Sequence, residues 1–221
     1  MENLQETKAS KEDKMKIYLI NGENGIGKTD FSVNLAERIA ENERVLLTSF
    51  FRDEKSNLED YFQKDGMISY DIADYFLGTC DLDRLIVEEN KNLSFIIAPL
   101  LEDKYDFKQE DVYALLECLD TDVLIIDNLD LDIDGAIKVN IIGEDSIKDD
   151  VNSDFYFVNK VKDSFDPRLH KQALYGKSSA YLGAVKNDEY FKKIIDNLLA
   201  GQKEAIADLG FFEKIKRVFS K

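Results

Sequence analysis

Gly22-Glu23-Asn24-Gly25-Ile26-Gly27-Lys28-Thr29 fits the pattern G-x-x-x-x-G-K-[ST] and directly follows the apolar run Ile17-Tyr18-Leu19-Ile20, the placement expected of a phosphate-binding loop leaving a strand. Backbone N–H groups can wrap a phosphate only where side chains stay out of the way, and Gly22, Gly25 and Gly27 supply that freedom. Asn24 and Ile26 complete the loop backbone. Lys28 places an ammonium on the outer phosphates, the Thr29 hydroxyl reaches Mg²⁺, and the helix beginning near Asp30 aims its positive end at the anion.

Outward from the loop, Asp30 to Ala40 has apolar residues at helical spacing and Arg44-Val45-Leu46-Leu47-Thr48 reads as a second strand. A helix is expected over Ser69 to Leu77 with Gly78 as its stop, a short one over Leu82 to Val87, and a buried strand over Asn92 to Ala98 ended by Pro99. Gln109 to Leu119 has helical spacing and leads into Val123-Leu124-Ile125-Ile126-Asp127. Continuous apolar strands ending in a carboxylate belong in a parallel sheet with ligands at the strand C-termini. That makes Asp127 a candidate Mg²⁺ partner beside Thr29. The fold class is α/β, a mostly parallel twisted sheet with helices on both faces, and Glu189 to Leu199 supplies the closing core helix.

The 221 residues suit one domain of this kind, and 44% hydrophobic residues suffice for its core. A formal charge of −16 disfavours a nucleic-acid partner, since the surface repels phosphate. Cys80 and Cys118 lack metal-ligand spacing and read as small reduced core residues. His170, the sole histidine, reads as an exposed polar side chain. Residues 1–14 are polar and of mixed charge, a disordered N-terminal arm rather than a signal peptide. No window approaches the ~20 apolar residues of a spanning helix, so the expected location is cytoplasmic.

Residues 201–209 are expected as a linker to a second chemical signal, Gly210-Phe211-Phe212-Glu213-Lys214-Ile215-Lys216-Arg217-Val218-Phe219-Ser220-Lys221. At helical spacing Phe211, Phe212, Ile215, Val218 and Phe219 share an arc of about 120°. Lys214, Lys216, Arg217 and Lys221 lie outside it. A short basic helix with phenylalanines on one side suits the surface of an anionic membrane, rings in the acyl boundary and ammonium groups on lipid phosphates. So short a helix binds weakly alone, and doubling it in a dimer would make attachment switchable.

The order and wording of these segments resemble the MinD/ParA family of deviant Walker A P-loop ATPases, the MinD branch in particular. The resemblance covers Lys16 to Asp127 well. Beyond it, Ala136 to Ile142 with Ser146 and Asp149 looks like the family's next strand and helix start, and Val158-Asn159-Lys160 resembles its Asn-Arg or Asn-Lys adenine contact. Asp166-Pro167-Arg168 is a weaker match to the closing loop. The resemblance implies ATP and Mg²⁺ binding at Gly22 to Asp30, with Asn159 on adenine and Thr29 and Asp127 on the metal. It also implies a nucleotide-dependent homodimer, and a C-terminal helix that targets the inner face of the cell membrane.

Three positions depart from the family. Glu23 stands where a signature lysine reaches the partner's phosphate, Phe51 where an aspartate helps place the attacking water, and Leu131 where a glycine is usual. The stretch between Asp127 and Asn159 is also short. A carboxylate at Glu23 repels phosphate rather than stabilising its charge. The expectation is therefore a bacterial, peripheral membrane protein that binds ATP with weak or absent hydrolysis and positions a partner for cell division or for placing a surface apparatus. The competing expectations are an active ATPase that switches on and off the membrane, and a nucleotide-free scaffold.

Overall fold

The computed structural model describes residues 15–52, 57–101, 103–186, 191–210 and 213. The expected N-terminal arm and nearly all of the expected membrane helix lie outside the described residues, as do 187–190, which include the first two residues of the expected closing helix.

Eight strands form one sheet: β1 (Lys16–Gly22), β2 (Val45–Ser49), β3 (Val87–Asn90), β4 (Leu93–Ile96), β5 (Val123–Asp127), β6 (Ile137–Ile142), β7 (Phe155–Val161) and β8 (Ala180–Lys186), in the order β3-β4-β2-β5-β1-β6-β7-β8. All neighbours are parallel except β3, which runs antiparallel to β4 at one edge. β1 sits between β5 and β6, with Ile20 opposite Asp127 and Gly22 opposite Ile141. The carboxyl ends of these three strands therefore meet at the glycine-rich loop, where the strand order reverses.

Helices cover both faces because the strands are apolar on both. Tyr18 and Ile20 of β1 pack under helix α1 (Lys28–Ala40), whose Phe31, Leu35 and Ile39 are buried with Phe157 of β7. Phe31 lies 4.8 Å from the Phe157 ring and 5.4 Å from Phe191, and truncating so enclosed a ring costs about 3–5 kcal/mol. Ile17 and Leu19 face the other way, with Ile72, Val112 and Leu115. Three short helices, α2 (Leu58–Tyr61), α3 (Ile72–Phe76) and α4 (Leu82–Leu85), precede α5 (Gln109–Cys118), and α6 (Pro167–Tyr175) and α7 (Lys192–Leu199) follow β7 and β8.

Several elements differ from their sequence reading. Helix α3 starts at Ile72 rather than Ser69 because Asp71 caps it, Oδ1 accepting from the N–H groups of Ala73 and Asp74. Val87 leaves the expected helix and begins β3, since Ile86 is already extended. Strand β8 was not anticipated. It lies beside β7, and the stretch expected as a linker packs against it: the Glu204 N–H donates to the Tyr181 carbonyl at 2.8 Å and Ile206 is buried. Cys118 is corrected from core to exposed, as the last residue of α5, and Cys80, in the turn between α3 and α4, is half-buried against the core; both are free thiols. His170 is half-buried rather than exposed, stacked on Phe165 at 5.3 Å.

Candidate phosphate-binding site

β1 ends at Gly22, and a Cβ there would stand 2.4 Å from the Ile141 carbonyl oxygen, so the strand can pass β6 closely only without a side chain. Gly27, at φ 96°, turns the chain through the left-handed region into α1. Between them Asn24 and Gly25 are exposed and Ile26 is buried. The loop curls around the Lys28 ammonium, which donates to the carbonyls of Glu23 at 3.0 Å and Gly22 at 3.4 Å. Lys28 is buried, its charge satisfied by loop oxygens.

On the α1 side, buried Asp127 accepts hydrogen bonds from Thr29 Oγ1 at 2.7 Å and Ser32 Oγ at 2.9 Å. The sequence reading placed Thr29 and Asp127 together and missed Ser32, whose i, i+3 spacing from Thr29 on one helix face was the available signal. Asp30 is half-buried on the opposite side of the helix start, and burial raises its carboxyl above the ordinary range against the lowering effects of Tyr61 and Lys160.

Two further tethers come from β7. Asn159 Nδ2 donates to the Ile26 carbonyl at 2.7 Å and Lys160 Nζ to the Gly25 carbonyl at 2.5 Å. Lys160 has φ 55°, a left-handed backbone that few non-glycine residues adopt. Asn159 is thus a brace for the loop in this structure.

The family-divergent positions lie on the rim. The Glu23 carboxylate is turned onto the N–H of Gly143 at 3.1 Å, tying the loop to the end of β6. β6 and β7 are joined through a 3₁₀ turn at Glu144–Ser146 with no α-helix, in keeping with the shortness of this stretch. Beside that crossover a groove of about 910 Å³ opens, lined by Glu23, Asp130, Leu131, Asp149, Asp150 and Phe51 among others. Its Lys138 is paired with Asp132 at 2.6 Å, which raises the lysine's pKa, so the groove's uncompensated charge is negative. Among the described residues no group of three or more His, Cys, Asp or Glu could hold a metal ion by itself. Any metal here would be shared with a phosphate, as Mg²⁺ commonly is.

No family model matches the chain. A curated relative, the septum site-determining protein MinD of Helicobacter pylori, is 29% identical over 116 residues, 51% of this chain and 43% of that protein. The match therefore spans less than half of the curated relative's length. Among solved structures, a plasmid partition protein from Borrelia burgdorferi superposes with TM-score 0.64 at 21% identity, covering 85% of this chain and 99% of that one. MinD of Aquifex aeolicus, from a MinC:MinD cell division complex, gives TM-score 0.64 at 16% identity, covering 88% and 100%. MinD of Pyrococcus horikoshii complexed with Mg-ADP gives TM-score 0.61 at 17% identity, covering 86% and 87%.

Proposed function

On the MinD/ParA P-loop ATPase fold that this chain has, we propose that it binds ATP with Mg²⁺ but hydrolyses it weakly or not at all, and works as a positioning protein attached to the inner face of the cell membrane. The observation that carries the reading is the Thr29–Asp127–Ser32 cluster beside the curled loop. A hydroxyl and a carboxylate 2.7 Å apart at a helix start are the donor set Mg²⁺ takes when it also holds phosphate oxygens. The loop N–H groups and Lys28 would hold the phosphates, with Lys28 exchanging its carbonyl partners for phosphate oxygen. Asn159, next to the loop on β7, would meet the adenine.

Weak hydrolysis follows from the rim. Glu23 is a carboxylate held by Gly143, Phe51 has no group to orient water, and the adjoining groove is acidic. Preorganised positive charge around the transferring phosphoryl group supplies most of the acceleration in this chemistry, and among the described residues the groove's lysine, Lys138, is already paired with Asp132. The membrane part rests on the amphipathic pattern of residues 210–221 and on the resemblance to the MinD branch. No helix among the described residues is long and apolar enough to cross a membrane.

Co-sedimentation with phosphatidylglycerol-containing vesicles, comparing the full chain with one ending at Leu209 under ATP·Mg²⁺, ADP or neither, tests the attachment. Pelleting that needs both ATP and the last twelve residues supports a nucleotide-switched membrane protein. Tail-dependent pelleting indifferent to nucleotide leaves a constitutive scaffold, and none at all removes the membrane from the account.

A further inference from the structure

Beyond α7 the chain turns at Gly201, φ 62°, and residues 201–210, with Glu213 after them, follow α6 as a strap. The Tyr175 hydroxyl donates to the Glu204 carbonyl at 2.8 Å and accepts from the Ile206 N–H at 2.6 Å. One turn nearer the start of the helix Lys171 pairs with Asp208 at 2.8 Å, and a further turn on Arg168 pairs with Glu213 at 3.1 Å. Residues spaced by three and four share one helix face, so Arg168, Lys171 and Tyr175 form a stripe that the strap follows in the opposite direction. Lys193 of α7 extends it, meeting Glu204 at 2.6 Å. Each acidic residue of the strap, Glu204, Asp208 and Glu213, is therefore engaged by a cation of this stripe.

The hold is mostly ionic and open to water. Asp208 is 81% exposed in its pair and Lys193 71% in its own, and such pairs contribute little to stability and weaken with salt. Ile206 is the only buried residue among 201–210. Two cavities, of about 260 and 430 Å³, both border Glu204 and Ala205, so the strap is loosely seated there. Arg168 is held by Asp166 through Nε and Nη2 and keeps Nη1 for Glu213, a donor that another anion can take. The chain is −16 overall, yet residues 151–221 hold thirteen Lys and Arg against nine Asp and Glu, and three of those nine are the strap acids. Lifting the strap thus uncovers a cationic edge on an acidic protein.

We propose that Arg168, Lys171 and Lys193, with the Tyr175 ring, form a binding stripe for the phosphates of an anionic lipid surface, which the strap masks and which the lipids uncover by displacing Glu204, Asp208 and Glu213. The strap leads straight into Gly210 to Lys221, so a bilayer that takes up those phenylalanines and lysines brings its phosphates to the same helix. A planar surface meets this edge alone, and the acidic remainder of the chain is screened beyond a Debye length of about 8 Å. The inference rests on the membrane reading and adds a second, masked contact to it.

The full chain is mixed with vesicles of phosphatidylglycerol or of phosphatidylcholine while hydrogen exchange is followed at the Glu204 and Ile206 amides. Exchange should be about tenfold faster on phosphatidylglycerol and unchanged with phosphatidylcholine. Asp208→Asn with Glu213→Gln should bind phosphatidylglycerol vesicles about tenfold more tightly than the parent, and adding Lys171→Gln should return most of that gain. Glu88→Gln with Glu117→Gln, which removes two exposed acids on β3 and α5, changes the net charge equally and should alter binding by less than about twofold. A control that matches the strap variant, a gain that survives Lys171→Gln, or strap amides unchanged on vesicles that the protein does bind overturns the proposal and leaves the membrane reading standing. Failure of every variant to bind phosphatidylglycerol overturns both. Tighter binding of the strap variant to duplex DNA than to the vesicles assigns the stripe to nucleic acid and overturns the lipid assignment.

Discussion

The phosphate loop and the rim beside it are built on opposite terms. The loop is tied at nearly every residue: Lys28 to two of its carbonyls, Asn159 and Lys160 to two more, and Thr29 to Asp127 beneath it. The rim, from Phe51 through Leu131 to Asp150, presents apolar and acidic side chains where the MinD/ParA resemblance expects charge and water placement. Binding a phosphate needs the first arrangement, and splitting it needs the second to be cationic and ordered. On the proposed reading the two capacities are separated within one fold, and each of the following substitutions presses on one side of that division.

Lys28→Ala should have the largest effect. Charge-assisted hydrogen bonds are worth about 1.5–3 kcal/mol each, so ATP affinity by calorimetry should fall about a hundredfold or more. Undiminished affinity would mean that nucleotide, if bound, sits elsewhere. Asp127→Ala leaves two buried hydroxyls without their acceptor and should cost about 2 kcal/mol in urea unfolding. It should also remove the Mg²⁺ dependence of ATP binding, whereas an Mg²⁺ dependence that survives would take Asp127 out of the metal site. Gly22→Ala forces β1 away from the Ile141 carbonyl and should cost about 1–3 kcal/mol as an overpacking change, with weaker ATP binding alongside.

Glu23→Lys sharpens the comparison from the rim. It exchanges a repelling carboxylate for a cation and gives up the bond to Gly143, so ATP should bind a few fold more tightly, about 1 kcal/mol. Phosphate release should stay at blank, because Phe51 and Leu131 are unchanged. Asp30→Asn is the smallest test. Burial raises the Asp30 carboxyl in the folded chain above the ordinary 3.8, so ionising it works against folding at neutral pH. The variant should melt slightly higher than the parent at pH 7, and the gap should close as pH falls through the raised folded value toward 3.8. A gap that widens on acidification would contradict the assignment.

Much of the loop half was legible in the sequence because its constraints are local. Glycine positions, the Lys28–Thr29 pair and apolar strand runs ending at Asp127 are patterns within a few residues of one another. What escaped were contacts across long sequence distance with no periodic signature, such as Glu23 on Gly143 and Lys160 on Gly25. Strand β8 escaped for a related reason. Its sequence Ala-Tyr-Leu-Gly-Ala-Val-Lys is broken by Gly183, which weakens a strand pattern, and its place is set by β7 and by the returning Glu204. The rim's divergence was visible only through the family resemblance, since Phe51 and Leu131 carry no signal of their own.

Titration of the full chain with ATP in the presence and absence of Mg²⁺, followed on the same sample by phosphate release, bears most directly on the separation of binding from hydrolysis. The account predicts saturable, Mg²⁺-dependent binding that Lys28→Ala abolishes, with phosphate no faster than in protein-free buffer. Steady phosphate release that Lys28→Ala removes, or no ATP binding at all, would contradict it.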